Sequence, residues 1–279
     1  MMHSGSRLNP SARRVAMFFL PGLLFAIVIY LFAGPIAQPP GYHGFADTRH
    51  VMGLPHAGDV LTNLAFLVIG GWGLWFLAHR ELSGRSFIDV RERRLFRWFF
   101  IGVFLTGLGS GLYHLDPGND SLVWDRLAMA LAFMSIFAAV IAERVKMSVG
   151  VALLGPLVAM GVASVLWWIW TEHEGQGDLR WYLMVQLYPL LTIPLMLLFL
   201  KTPYTRGNDY WALIFCYATA KIAELLDHEI FNLSQGFISG HNLKHLLAAA
   251  GTAWVLRMLW LRRARLPLTA EAPGLSQPD

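Results

Sequence analysis

LFRWFFIGVFLTGLGSGLYH (Leu95–His114) is followed, after the polar break LDPGNDS, by LVWDRLAMALAFMSIFAAVIA (Leu122–Ala142). Each stretch is long enough to cross a hydrocarbon core about 30 Å thick at about 1.5 Å per helical residue. The rest of the chain has the same character. Of its 279 residues 56% are hydrophobic and only 14% charged, which excludes a soluble domain. Further apolar runs cover approximately Val15–Gly34, Asp59–His79, Ser148–Trp170, Arg180–Leu200, Tyr210–Leu226 and His241–Leu261. With the first two they make eight expected spans, so the fold class is all-α, a polytopic membrane helical bundle.

Loop charge gives the orientation, because cytoplasmic loops are enriched in Lys and Arg. Arg7, Arg13 and Arg14 precede the first span, Arg80, Arg85, Arg91, Arg93 and Arg94 fill the second connection, Arg144 and Lys146 the fourth, and Lys201 and Arg206 the sixth. Arg262, Arg263 and Arg265 follow the last span. The other connections are acidic or neutral, with Asp116 and Asp120, then Glu172, Glu174 and Asp178, then Asp227 and Glu229. This alternation predicts both termini in the cytoplasm. The formal net charge of +4 therefore reflects basic loops, with no nucleic-acid surface. Val15–Gly34 is longer than a signal-peptide core and reads as an uncleaved helix. Residues 264–279 lack apolar periodicity and are expected to be a disordered tail.

Cys216 is the only cysteine, so histidine and carboxylate must carry any metal chemistry. His241 and His245 open the last span four residues apart, on one helix face. Ser110 and His114 repeat that spacing where the third span ends, and Asp125 lies about one turn inside the fourth. By the predicted topology these ends share one side of the membrane. Three neutral imidazoles with an open fourth position form a catalytic zinc site, and zinc lowers the pKa of its bound water towards 7. Asp125 is placed to take that water's proton, and Ser110 to donate to the developing oxyanion. An ion pair of Asp125 with Arg126 is disfavoured, because adjacent helical residues point about 100° apart. These roles fit hydrolysis of an amide or ester, and the site's depth points to a lipid substrate.

Other polar residues carry less. Asn63 either binds a partner or hydrogen-bonds a neighbouring helix; Lys221, Glu224, Asp227 and His228 form a polar stripe facing the bundle interior. Lys244 reads as a snorkelling interfacial lysine, and Trp167, Trp168 and Trp170 as an interfacial belt.

Together, Thr62-Asn63, Ser110-x-x-x-His114, Asp125 and His241-x-x-x-His245, in this order and topology, resemble the alkaline ceramidase family. That family belongs to a superfamily of seven-helix membrane hydrolases that includes the adiponectin and progestin receptors. The resemblance covers most of Asp59–Leu261. It implies a seven-helix membrane domain over residues 59–263, preceded in 1–58 by a cytoplasmic N-terminus, an extra transmembrane helix and an outer loop. It also implies Zn2+ on His114, His241 and His245, with Asp125 and Ser110 catalytic, cleaving the amide of ceramide or another N-acyl lipid by attack of zinc-bound water. Ceramidases bind calcium at an acidic cluster before the first shared helix. Here Asp47 to Asp59 holds His50, His56 and few carboxylates, a departure that speaks against calcium. The competing readings are a receptor-like or lipid-binding protein with structural zinc, a serine protease using Ser110, and a haem protein. The sequence Leu108-Gly-Ser-Gly lacks the first Gly of the protease pattern, and haem would need deeper histidine pairs.

Overall fold

A computed structural model describes residues 10–79 and 86–265, which form helices joined by turns with no β-strand among them. Arg7, Arg80, Arg85 and the tail from residue 266 lie outside the described residues. In chain order the helices are α1 (Pro10–Phe32), α2 (Ala57–Thr62), α3 (Leu64–His79), α4 (Val90–Leu115) and α5 (Asn119–Arg144). They continue with α6 (Met147–His173), α7 (Arg180–Phe199), α8 (Tyr210–Leu225), α9 (Asp227–Leu233) and α10 (Gly240–Leu261). Five segments are long and apolar enough to cross a membrane: Ala57–His79, which joins α2 and α3, and helices α4, α5, α6 and α7.

The other three expected spans are helical but fall outside that set. The apolar part of α1, Leu20–Phe32, is short for a crossing, α8 has 16 residues, and α10 has 22 but carries His241, Lys244 and His245 near its start. The expected unbroken helix from Asp59 to His79 is interrupted at Asn63. There the Thr62 hydroxyl bonds the Gly58 and Asp59 carbonyls, and the Asn63 amide donates to the same Asp59 carbonyl at 2.8 Å. Side chains that compete for backbone carbonyls in this way bend helices.

The bundle is inverted relative to a soluble protein. Leu31, Leu198, Phe199, Phe215 and Leu225 are exposed along its outside, whereas Asp59, Asp125, His114 and Arg262 are buried inside. Small residues let the helices meet closely: a Cβ on Gly109 of α4 would stand 2.5 Å from the Trp124 carbonyl oxygen of α5, so only glycine fits there. α1 packs on α7.

Connections gather at two ends. At one, His43 meets Asn119 at 3.0 Å, Ala46 N donates to Asp227 at 2.9 Å, Leu179 N to the Ile36 carbonyl at 2.8 Å, and His173 meets Asp120 at 2.9 Å. These residues come from the connections read above as acidic or neutral. At the opposite end the basic connections meet. Thr205 N donates to the Arg263 carbonyl at 2.8 Å, and Arg265 N to the Pro203 carbonyl at 2.7 Å. Ala264 and Arg265 are therefore held in place, unlike the disordered tail expected from residue 264.

This opposite end is closed by a buried ionic network. Arg262 stands 3.3 Å from Glu143 and 3.6 Å from Glu92, and its guanidinium lies over the rings of Tyr204, Phe87 and Phe96. Tyr204 donates to Glu92 and Thr202 to Glu143. The network ties the start of α4 and the end of α5 to the chain just past α10. Removing one partner of such a set leaves an uncompensated buried charge, which costs about 3–5 kcal/mol. Arg262→Met is therefore expected to lower thermal stability in detergent by about that amount, and an unchanged melting temperature would contradict the network's role.

Candidate metal centre

The site forms where α4 ends and α10 begins. A helix starting inside a protein must find partners for the N–H groups of its first turn. For α10, Ser239 accepts from Asn242 N at 2.9 Å while the Asn242 side chain accepts from Ser239 N at 3.2 Å, a reciprocal cap. Asp227 accepts from His241 N at 2.7 Å, putting a carboxylate at the positive end of the helix dipole. A Cβ on Gly240 would lie 2.0 Å from the Ala223 carbonyl oxygen, so this corner requires glycine. The expected polar stripe thus divides its work. Asp227 fixes the start of α10, His228 bonds the Gly44 carbonyl at 3.1 Å, and Glu224 pairs with Lys244 at 2.8 Å and with Lys221. Lys244 is therefore an ion-paired residue of the interior, in place of the snorkelling lysine expected, because Glu224 reaches it from α8.

So held, α10 presents His241 and His245 to His114 of α4. All three are buried, and each offers a ligand atom within 4.8 Å of the others. The Nε2 atoms of His114 and His241 face each other at 3.2 Å. Nitrogens sharing a tetrahedral zinc at about 2.0–2.1 Å stand about 3.3 Å apart. The His245 Nε2 is buried without a hydrogen-bond partner, while its Nδ1 lies 2.9 Å from the Thr62 hydroxyl. That hydroxyl has one proton, and the Gly58 carbonyl at 2.8 Å accepts it. The hydroxyl oxygen must then accept from Nδ1–H, which leaves the Nε2 lone pair turned to the other histidines. This is how an outer hydrogen bond fixes the tautomer of a ligating histidine. The donor set fits a metal ion; three imidazoles suit zinc and also copper, iron or nickel.

The connection before α2 covers the centre. Phe45 lies edge-on to His114 and His241, with ring centroids 4.7 and 4.5 Å away. His43 is bound by the Tyr113 hydroxyl at 2.8 Å and by Asn119 at 3.0 Å. Asp47 is buried, which pushes its carboxyl up, but hydrogen bonds and charge from Arg49 outweigh this and hold it below 3.8. Asp59 accepts from the Asn242 side chain at 2.6 Å. Asp47 and the Asp59 Oδ1 are thus engaged by internal partners, whereas the Asp59 Oδ2 has none among the described residues. Because the folded Asp47 is more acidic than the unfolded one, its ion pair contributes in full above pH 3.8 and is lost only as pH falls through the lower folded value. Amide protection around Ala46 and Arg49 should accordingly persist at pH 5 and fade only below 3.8; loss at pH 5 would contradict this assignment.

Ser110 and Asp125 also come together. Ser110 and the buried Asp125 line, with His245 and Lys244, a cavity of about 320 Å³. Arg126 makes no ion pair with Asp125. Its guanidinium turns instead to Trp168, 3.8 Å from the ring centroid, and to the Gln38 side chain at 2.6 Å. Trp168 is fully buried there, unlike the interfacial residue expected, whereas Trp170 is exposed. Phe45 left no sequence signal; Asp59 and Asp227 left a weak one, as carboxylates at the ends of apolar runs.

No protein-family model matches the chain, and no curated protein matches it. The chemistry of the centre has to be read from its geometry. Thr62→Ala is expected to weaken metal affinity about 10- to 100-fold by freeing the His245 tautomer, and His245→Ala to abolish binding. Competition titration against a chelator measures both, and wild-type affinity in Thr62→Ala would refute the hydrogen-bond argument.

Proposed function

We propose that this chain is a zinc-dependent intramembrane hydrolase of the alkaline ceramidase type, which cleaves the amide bond of a membrane lipid. The observation that carries this reading is the shared wall: Ser110, Asp125 and His245, one of three clustered imidazoles, line one cavity. Two further features favour a lipid. The centre lies at the end of the bundle, and the polar cavity shares Phe66, Thr106, Met129, Tyr217 and Ala248 with an apolar one of about 130 Å³ running deeper between the helices. An acyl chain in the deeper cavity brings its amide carbonyl to Ser110 and Asp125.

His114, His241 and His245 would hold the zinc. Zinc in such a site supplies Lewis acidity, enough to bring the ionisation of water near neutral pH. Asp125 accepts a proton from the attacking water and returns it to the leaving amine as the C–N bond breaks. Ser110, on the same cavity wall as Asp125, donates to the oxyanion that develops on the carbonyl oxygen. Phe45 and the outer connection keep bulk water from the imidazoles. The proposed topology has eight spans, made of the seven-helix domain and an extra N-terminal helix. Both termini are cytoplasmic and the centre lies near the outer face, because the basic connections gather at the end opposite the histidines.

The test is incubation of the metal-loaded protein in nanodiscs with ceramides and other N-acyl lipids, with released fatty acid measured by mass spectrometry. Turnover should be removed by chelation, restored by zinc, and reduced at least about 10²-fold in Asp125→Asn, the scale of a lost general base. Stoichiometric metal without turnover of any lipid amide or ester, and with ligand binding intact in Asp125→Asn, would reassign the chain as a receptor-like lipid-binding protein with a structural metal.

A further inference from the structure

Arg126 is the one cation of the cavity wall without an ion-pair partner among the described residues. The wall carries three cations, Arg126, Lys221 and Lys244, against two carboxylates, Asp125 and Glu224. Glu224 pairs with both lysines, which leaves Arg126 and the adjacent Asp125 outside any ion pair. Arg126 is only 3% exposed, and among the described residues no carboxylate lies within ion-pairing distance of it. Its position, seven residues into α5, is about 10 Å from the helix start. A lone charge at such a site is costly unless it serves a purpose.

The surroundings of Arg126 are built to hold a guanidinium in one pose. Its plane lies over the Trp168 ring, with the Tyr182 and Tyr42 centroids at 4.8 and 5.6 Å. Nη2 donates to Gln38 at 2.6 Å, while Nη1 is buried and has no hydrogen-bond partner. Gln38, Tyr42 and Tyr182 line the same cavity as Ser110, Asp125 and His245. Aromatic stacking fixes the guanidinium without neutralising it, and a fixed, weakly hydrated guanidinium is the side chain best suited to a carboxylate or phosphate.

The geometry points to Arg126 as the binding residue for an anionic headgroup, so that the substrate is an N-acyl lipid carrying a carboxylate or a phosphate near its amide. This rests on the hydrolase reading for the reaction, but the anion site stands on its own observations. Arg126 is a specificity residue here, and the reacting amide lies further along the wall with Ser110 and Asp125.

The experiment compares three lipid amides that differ in headgroup: N-palmitoylglycine with a carboxylate, an N-palmitoyl phosphatidylethanolamine with a phosphate diester, and neutral N-palmitoylethanolamine. Apparent dissociation constants are measured on full-length Asp125→Asn protein in detergent by lipid-dependent thermal shift. At least one anionic lipid should bind tenfold or more tightly than the neutral one, and which one identifies the anion. Arg126→Gln should lower that ratio at least tenfold, and Arg126→Lys should retain part of it. Equal binding of all three lipids, or an undiminished ratio in Arg126→Gln, overturns the proposal. The first comparison leaves Arg126 in place, so misfolding of its variants does not blunt the test. Preserved anion preference in a protein that hydrolyses no lipid amide would retire the hydrolase reading and uphold the anion site.

Discussion

The hydrogen bond from the His241 amide to Asp227 is the interaction on which the candidate centre depends. A helix that begins within a membrane protein exposes the N–H groups of its first turn to a medium without water, and each must be satisfied internally. Asp227 satisfies one, and its second oxygen accepts from Ala46 N at 2.9 Å. One carboxylate therefore fixes both the start of α10, which aims two histidines, and the connection that lays Phe45 across two of the three rings. The reciprocal Ser239 and Asn242 cap adds the rotational setting, because a helix pinned at its first turn has no freedom to turn His241 and His245 away from α4.

Burial of charge follows one logic at both ends of the bundle and yields different results. Where α4 starts and α5 ends, Arg262, Glu92 and Glu143 are joined by tyrosine and threonine hydroxyls into a clamp, with Glu92 Oε1 and Arg262 Nη2 left without hydrogen-bond partners among the described residues. The histidine end also leaves polar atoms over. The His245 Nε2, the His114 Nδ1 and the Arg126 Nη1 remain without partners among the described residues. Polar atoms left over in a low-dielectric interior are expensive, and they persist where something else completes them. The difference between the two ends is that His245 and Arg126 line a cavity with room for such a partner.

Much of this was legible in the chain, and the limits have physical causes. Apolar run lengths gave the helices, and the four-residue spacings put Ser110 with His114 and His241 with His245, because helical periodicity is local. The alternation of loop charge correctly grouped the connections that meet at each end. Contacts set by tertiary approach left no such trace. Lys244 reads as interfacial until Glu224 of α8 is seen beside it, and Trp168 reads as a belt residue until Arg126 is found over its ring. The break at Asn63 was hidden because hydropathy counts side chains and is blind to their bonding of backbone carbonyls. Phe45 sits in a connection without periodicity, where only the folded chain reveals what it covers.

Thr62 shows how such a break can be useful. Its hydroxyl bends the chain between α2 and α3 by giving its proton to the Gly58 carbonyl, and the same act obliges its oxygen to accept from His245 Nδ1. A hydroxyl free to rotate in water would leave the imidazole either tautomer. Fixed by the backbone, it permits only the one with the Nε2 lone pair facing His114 and His241. Local distortion of a membrane helix and selection of a ligating nitrogen are thus one hydrogen-bond chain, and straightening the helix would release the tautomer. The requirement that every buried donor find an acceptor, which makes these charges costly, is also what orients the histidines.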